Sequence, residues 1–331
     1  MSLNARPVFD TYWRFAVERQ AIFHRRLANP IGPWTHDVIL RSYRFTNAYR
    51  ASDRVSQYLI REVQYRSDRP QSTPELLFRT LLFKVFNRIE TWEEIEREIG
   101  DIQWEGVDLD AIARVLSSMM QRGISIYSAA YIMPSPPFGR NRKYENHLAL
   151  LARMMEDMLP DRLERASSLR QVYEALLAYP GIGSFLAFQY TIDLNYSAML
   201  NFSESDFVVA GPGALDGIAK CFESTDRLAP EDIIYWTAER QDAEFARLGL
   251  KFQDLFGRPL QPIDCQNIYC EISKYARVSH PEVAGVSGRR RIKQKFHRNP
   301  RPLSPLMYPP KWGLAVSAEI DTRGSDLLAG F

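Results

Sequence analysis

Arginines and carboxylates fall in rows between Pro33 and Leu59, where the chain reads PWTHDVILRSYRFTNAYRASDRVSQYL. Asp37, Arg41 and Arg44 recur at i, i+4 and i+7, and Tyr43, Asn47, Arg50 and Arg54 at i, i+4, i+7 and i+11. On a helix each row would be one face. Arg44, Arg50 and Arg54 would then clamp the oxygens of a departing pyrophosphate, because guanidinium groups make forked contacts to phosphate and offset charge as it develops. The plainer reading is a surface helix in which Asp37 and Asp53 pair with the arginines, an arrangement that is common and weak. Asn47, among aromatic and charged neighbours, reads as a polar contact to substrate or backbone. Trp34 either stacks a base or packs in the core. Of the five histidines (His24, His36, His147, His280 and His297) none has metal-ligand spacing, and only His36 lies in this segment.

A second stripe lies at Asp264, Asn267, Glu271 and Lys274, at i, i+3, i+7 and i+10, on a helix that also carries Ile268, Ile272 and Tyr275. It reads either as a solvated face, with Glu271 and Lys274 as a helix ion pair, or as a substrate-binding wall. Just beyond it, VSGRRRIKQKFHRNPR at 286–301 carries seven positive charges and no acid. Arg289, Arg290, Arg291, Lys293 and Lys295 would track the phosphates of a duplex, with affinity falling steeply in salt. The alternative is a tail that binds any polyanion.

The third feature is backbone chemistry. In LLAYPGIGSFLA, Pro180 stops one helix, Gly181 and Gly183 permit a turn, and Ser184 starts the next helix after Ile182. Uncovered amides there would grip one DNA phosphate without reading a base; a plain turn between helices has the same signature. Asp206 follows in SESDFVVAGPGALDGIAKCF and is the candidate acid–base group, able to take a proton from an attacking ammonium nitrogen. Asp193, on the helix after the turn, is a second candidate acid, with a cap or packing partner as the plainer reading. Gly211 and Gly213 around Pro212 are unusual inside a helix and suggest a flexible or closely approaching backbone beside Asp206.

The elements that must position these groups are helical throughout. Apolar periodicity and stop signals predict helices over 8–28, 75–87, 91–100 (capped by Thr91, closed by Gly100), 108–121, 143–158, 168–178, 184–197, 206–222, 230–248 and 263–279, with helix also through the first motif. Residues 133–142 read as a loop, and the Pro-rich stretch from 297 as an extended segment laid over the body. The fold class is all-α. The expected organisation is two helical lobes around a cleft, one from 1–74 plus 223–296 and one from 75–222, with 297–331 as a tail. With 45% hydrophobic residues in 331, the chain has ample material for such cores. Residues 1–70 hold twelve Arg, no Lys and six acids, whereas 90–110 hold nine acids against one Arg, so charge is segregated despite a net of +2. Three cysteines, Cys221, Cys265 and Cys270, offer neither a disulfide framework nor a zinc pattern. No apolar run is long enough to span a membrane, and an intracellular location is expected, the host cytoplasm if the gene is a phage's.

The turn and Asp206 together resemble the helix-hairpin-helix DNA glycosylase superfamily, in which a Leu-Pro-Gly-x-Gly hairpin precedes an aspartate at a helix start. Tyr179 stands here in place of the Leu, and Phe185 where lyase-type members carry a catalytic Lys, which argues against Schiff-base chemistry. The AGPGA run beside Asp206 suggests a pocket shaped differently from a glycosylase's. The segments 33–59, YPGIGSFLAFQYTIDLNYS with DFVVAGPGA, and DCQNIYCEISKYARV with GRRRIKQ more closely resemble the phage-type thymine hypermodification proteins. These are the α-glutamyl/putrescinyl thymine pyrophosphorylases, or amino acid:DNA transferases, related to the helical domain of 5-hydroxymethyluracil DNA kinases. The resemblance implies a glycosylase-like helical fold. It implies double-stranded DNA with a modified thymine and an amino acid or polyamine as substrates. The implied reaction displaces pyrophosphate from 5-(pyrophosphoryloxymethyl)uracil. No G-x-x-x-x-G-K-[ST] occurs in the sequence, so the base should arrive already activated. The other readings are a glycosylase that excises a modified base and a non-catalytic binder of modified DNA. No cofactor is specified; a monovalent or divalent cation remains open, as do the donor amine and the oligomeric state.

Overall fold

The computed structural model describes residues 3–130, 133–225, 227–299 and 301–316. In chain order the elements are β1 (Asn4–Ala5), α1 (Pro7–Ala28), α2 (Val38–Ser42), α3 (Arg54–Tyr58), α4 (Thr73–Phe86), α5 (Ile89–Ile99), α6 (Leu109–Gln121), α7 (Lys143–Glu156), α8 (Leu159–Glu164), α9 (Leu169–Leu177), α10 (Ser184–Tyr196), α11 (Pro212–Cys221), β2 (Phe222–Ser224), α12 (Pro230–Glu239), α13 (Gln241–Arg247) and α14 (Pro262–Ser279). The chain is thus mostly helical, and the only sheet among the described residues is β1 paired antiparallel with β2. The chain divides into two compact units. Unit 1 holds the residues up to Asp53 together with Phe207–Leu306, and unit 2 holds Arg54–Asp206 together with Met307–Trp312. The lobe boundaries expected from the sequence lie at 74 and 222.

Unit 1 is built around α14. Gly213 and Gly217, one turn apart on α11, let that helix press onto it: a Cβ at Gly213 would lie 2.9 Å from Cys270 Sγ, and one at Gly217 only 2.1 Å from the Tyr269 carbonyl oxygen. The glycines of AGPGALDG therefore serve helix–helix packing. Helix α11 starts only at Pro212, behind an extended Gly211, because proline has no N–H to give and fits the first helical turn. The helix expected from 206 is thus corrected: Asp206 does not stand at a helix start. An aromatic cluster that includes Tyr269 of α14 closes the core, with Tyr12 and Tyr269 ring centroids 4.6 Å apart and Trp13 edge-on to Phe245 at 5.0 Å. The single helix expected over 230–248 breaks at Arg240, where the Gln241 side chain turns to bond both the N–H and the C=O of Leu260.

The first motif is the largest departure from expectation. Only α2 and α3 are α-helical in it; Tyr43 is extended, Arg50–Ser52 form a 3₁₀ turn, and Leu59–Gln64 a π-helical turn. Backbone groups that a helix would use find other partners: Arg44 N donates to Gln294 O (3.1 Å), Thr46 N to Glu271 Oε2 (3.1 Å) and Asn47 N to Asp53 Oδ1 (2.8 Å). Side-chain acceptors competing with the helical ladder are the usual reason such residues leave it. The two rows of charges therefore do not form helical faces.

Unit 2 centres on α4, whose apolar side chains are buried all round. It starts with Pro74 in its first turn and ends at Asn87, in the left-handed region with φ 49°. Helix α5 begins at Ile89, and Thr91 is inside it, donating to Ile126 O at 2.9 Å, so Thr91 is not the cap; Gly100, with φ 82°, does close the helix. The loop at 133–142 is held firmly. Asn146 accepts from Phe138 N and Arg140 N and donates to Arg140 O and Arg142 O. His147 bonds Tyr127 OH (2.7 Å) and Pro134 O (2.9 Å). The C-terminal segment lies along unit 2: Met307 exchanges two bonds with Gln57, and Lys311 donates to the carbonyls of Asn195, Ser197 and Leu200 at the C-terminal end of α10. The rest of the expected tail, 317–331, lies outside the described residues.

Burial lowers the His147 imidazole to about 4, from 6.5 in an exposed ring. A depressed folded value means that its contribution is complete above 6.5 and is lost as pH falls toward 4. Global stability should therefore drop by roughly 3 kcal/mol over that window on this account alone. Urea unfolding at pH 7 and pH 4.5 should show a smaller drop for His147→Phe; an equal drop would contradict the assignment.

Candidate functional site

In unit 1 the first motif and the stripe on α14 meet. Asp264 accepts hydrogen bonds from Arg50 N (2.9 Å) and Gln261 N (3.1 Å). Asn267 Nδ2 donates to Thr46 Oγ1 and Asn47 O, both at 3.0 Å. Glu271 takes the Thr46 amide and pairs with Lys274 Nζ at 2.8 Å, and Lys274 in turn lies 4.7 Å from the centroid of the Phe45 ring. The stripe is thus neither a solvated face nor an open wall; it anchors residues 45–50. Asn47 is similarly occupied, accepting from Arg19 NH2 (2.9 Å) and donating to Ser52 O (2.8 Å). Arg50 is buried. The neighbouring Asp53 was missed as more than an ion-pair partner: burial pushes its carboxyl up to about 6, against the Asn47 N–H and the Arg19 charge. Nothing in its spacing signals that, since the shift arises from tertiary burial.

The basic run is fixed to this scaffold. Tyr43 and Lys295 form an antiparallel bridge, flanked by Arg44 N to Gln294 O (3.1 Å) and Phe296 N to Ser42 O (3.0 Å). Lys295 Nζ stands 4.4 Å from the Tyr43 ring centroid. The start of the run is held by Asp216 of α11, which accepts from Ser287 N (2.6 Å) and from Ser273 Oγ (2.5 Å). Gly285 passes so close that a Cβ there would lie 2.3 Å from Asp216 Oδ1. Burial works against ionising Asp216, but these hydrogen bonds and the nearby Lys220 ammonium hold it below the usual carboxylate range. The Asp216–Lys220 pair was not singled out in the sequence, although its i, i+4 spacing on a helix was readable. Ile292 points inward, whereas Arg289, Arg290, Arg291, Lys293, Lys295 and Arg44 are exposed. They form one ordered cationic strip, with no acid between 286 and 299.

Next to the strip, α1, residues 33–37 and the end of α14 enclose a cavity of about 800 Å³. Its walls include Arg14, Glu18, Trp34, His36, Asp37, Tyr275 and His280. Asp37 caps α2 through the amides of Ile39 (2.8 Å) and Leu40 (3.0 Å), and its second oxygen accepts from Tyr275 OH (2.7 Å). Trp34 is half-buried, donates from Nε1 to Asn29 O (2.6 Å) and lies under Arg26, 5.0 Å from its centroid. Arg298, three residues past the strip's Lys295, lies 6.0 Å from the same ring and donates to Pro30 O at 3.0 Å.

The remaining expected site residues are in unit 2. Gly181 takes φ 81°, and Pro136 packs so closely that a Cβ at Gly181 would lie 3.2 Å from it. Ile182 is buried, Pro180 and Gly183 are exposed, and α10 opens at Ser184 without a side-chain cap. Asp193 is fully buried and ion-paired to Lys84, Nζ to Oδ2 at 3.2 Å. Asp206 is exposed and accepts a hydrogen bond from Ser205 Oγ at 3.0 Å. Arg54 is half-buried at the start of α3. Among the described residues no three His, Cys, Asp or Glu side chains converge as a metal site, and no helix is long and apolar enough to cross a membrane.

Residues 6–285 match the family described as the helical domain of 5-hmdU DNA kinase. The chain belongs to that family. It is 27% identical over 293 residues to a 5-hmdU DNA kinase of Bacillus phage SP10, covering 82% of this chain and 45% of the phage protein. It therefore spans less than half the length of that relative. No solved structure matches the chain. The family match ends within the segment leading to the strip, so the charges of 289–298 lie outside it.

Proposed function

We infer that this chain is a phage-type DNA-modifying enzyme that acts on an activated thymine base, displacing pyrophosphate from 5-(pyrophosphoryloxymethyl)uracil in DNA with an amine. The observation that carries this is the cationic strip, fixed by main-chain bonds to the first motif and adjoining a cavity large enough for a small molecule. Family membership supplies the substrate class, since the relative's name places 5-hydroxymethyldeoxyuridine in DNA at the centre of its chemistry. In this reading the strip and Arg44 take the phosphates, and the Pro180–Ser184 turn is a helix-hairpin-helix grip on one more.

The reaction breaks the bond between the C5 methylene and the pyrophosphate oxygen, which leaves with the electron pair. The donor's ammonium first gives one proton to a base, which frees its lone pair; the amine nitrogen then forms the new C–N bond and releases a second proton to water. Cations on the strip offset the charge that grows on the leaving group. Two groups are offered for the proton: Asp206 in unit 2 and His36 in the cavity of unit 1. His36 is favoured, because it lies on the wall of the cavity beside the strip and its ring has no partner among the described residues.

Pyrophosphate release tests the reading. Duplex DNA carrying the activated base should liberate pyrophosphate only when protein and amine are both present, and His36→Ala should slow release by about 10²-fold or more. Release that ignores the amine, or none at all, would contradict it.

A further inference from the structure

The cavity in unit 1 has a charge pattern that selects among ligands. The wall carries Arg14, Glu18 and Arg25 from α1 and Asp37 from the segment before α2, so its fixed Arg, Asp and Glu charges cancel. A pyrophosphate group would meet two carboxylates there, and a polyamine would meet two guanidinium groups. Only a ligand with one charge of each sign finds both complements. Not all four groups are available. Arg25 NH1 is committed to Glu18 Oε1 (2.8 Å) and Trp34 O (2.7 Å), and both Asp37 oxygens are taken by the α2 cap and Tyr275. Arg14 is exposed and has no partner among the described residues, which leaves its guanidinium fork open. Glu18 uses Oε1 for Arg25 and Thr35 and accepts nothing at Oε2 among the described residues. Arg14 and Glu18 are neighbours at i and i+4 on α1.

We propose that this cavity binds the amine donor as a zwitterionic amino acid, with its carboxylate in the fork of Arg14 and its ammonium on Glu18 Oε2. Forked contact to a carboxylate is what guanidinium does best. The position is suitable for a donor, since Arg298 brings the DNA-facing strip to Trp34 at the cavity wall. The proposal rests on the transferase reading above and adds the class of donor and its place. It also excludes polyamines from this cavity.

Three probes distinguish the outcomes in the full chain without DNA: glycine, putrescine and inorganic pyrophosphate. Binding is read from the ring-proton resonances of His36 and His280, both on the cavity wall. Glycine should shift both and saturate, and the other two probes should not. Arg14→Ala and Glu18→Gln should each weaken glycine by at least about tenfold, since a charged hydrogen bond is lost, with thermal melting unchanged; Arg14→Lys should fall between Arg14→Ala and the parent. Shifts caused by putrescine or pyrophosphate in place of glycine would overturn the proposal. So would a cavity that ignores all three, or glycine binding that survives both substitutions. None of these results bears on pyrophosphate release from activated DNA, so the transferase reading is judged separately.

Discussion

Replacing Arg289, Arg290, Arg291, Lys293 and Lys295 together by alanine is expected to remove most of the protein's affinity for duplex DNA. Each phosphate neutralised by a Lys or Arg releases counterions and contributes about 0.9 to the slope of log affinity against log salt. Loss of all five contacts should lower that slope by roughly 4 to 5 and weaken binding at 0.1 M salt by on the order of a hundredfold or more. The fold should tolerate the change, because the run is held mainly by main-chain bonds to Ser42 and Arg44 and by the Asp216 clamp; of the five side chains only Lys295 packs on the scaffold, against Tyr43. Fluorescence anisotropy at several salt concentrations, with a melting curve for each protein, measures both effects. An unchanged slope in a folded variant would mean that DNA does not lie on the strip.

Asp193→Ala is expected to cost about 3–5 kcal/mol of stability, as removal of one partner from a buried ion pair does. Lys84 is buried in α4, and its ammonium is shared between Asp193 (3.2 Å) and Asn87 Oδ1 (2.7 Å). Without the carboxylate a positive charge is left in the core of unit 2. The pair itself need not be stabilising, so Lys84→Met combined with Asp193→Leu should recover much of the loss. Denaturant titrations of the single and double variants would show it. A single-variant loss below about 1 kcal/mol would contradict the burial of the pair.

The helices with continuous apolar periodicity were legible in the sequence, and so were the end of the first at residue 28 and the stop at Gly100. Legibility failed where side chains replaced the helical ladder. Asp53 and Glu271 capture the amides of Asn47 and Thr46 from six and 225 residues away, respectively. No local window contains the second of these, so the periodic rows of the first motif looked helical although the chain there is mostly extended or tightly turned. The meeting of Asp264, Asn267 and Glu271 with residues 46–50 is legible only as two polar stripes, not as one assembly. Gly211–Gly213 is expected to be flexible or to approach closely beside Asp206 and shape a pocket; the close approach is present at Gly213. Its partner is α14, however, because Pro212 sets the helix start and puts Gly213 and Gly217 on the packed face. The basic run was legible as charge, whereas its order depends on a bridge to Tyr43 and on Asp216, neither of which sequence spacing reveals.

Nucleoside mass spectrometry tests the central claim most directly. Duplex DNA containing 5-(pyrophosphoryloxymethyl)uracil is incubated with the protein and a mixed pool of amino acids and polyamines, then digested to nucleosides. The account predicts an amine adduct still attached to deoxyribose, lost when the charges of the strip are removed and strongly reduced in His36→Ala. Free modified base with abasic sites in the DNA would instead make this protein a glycosylase and contradict the account.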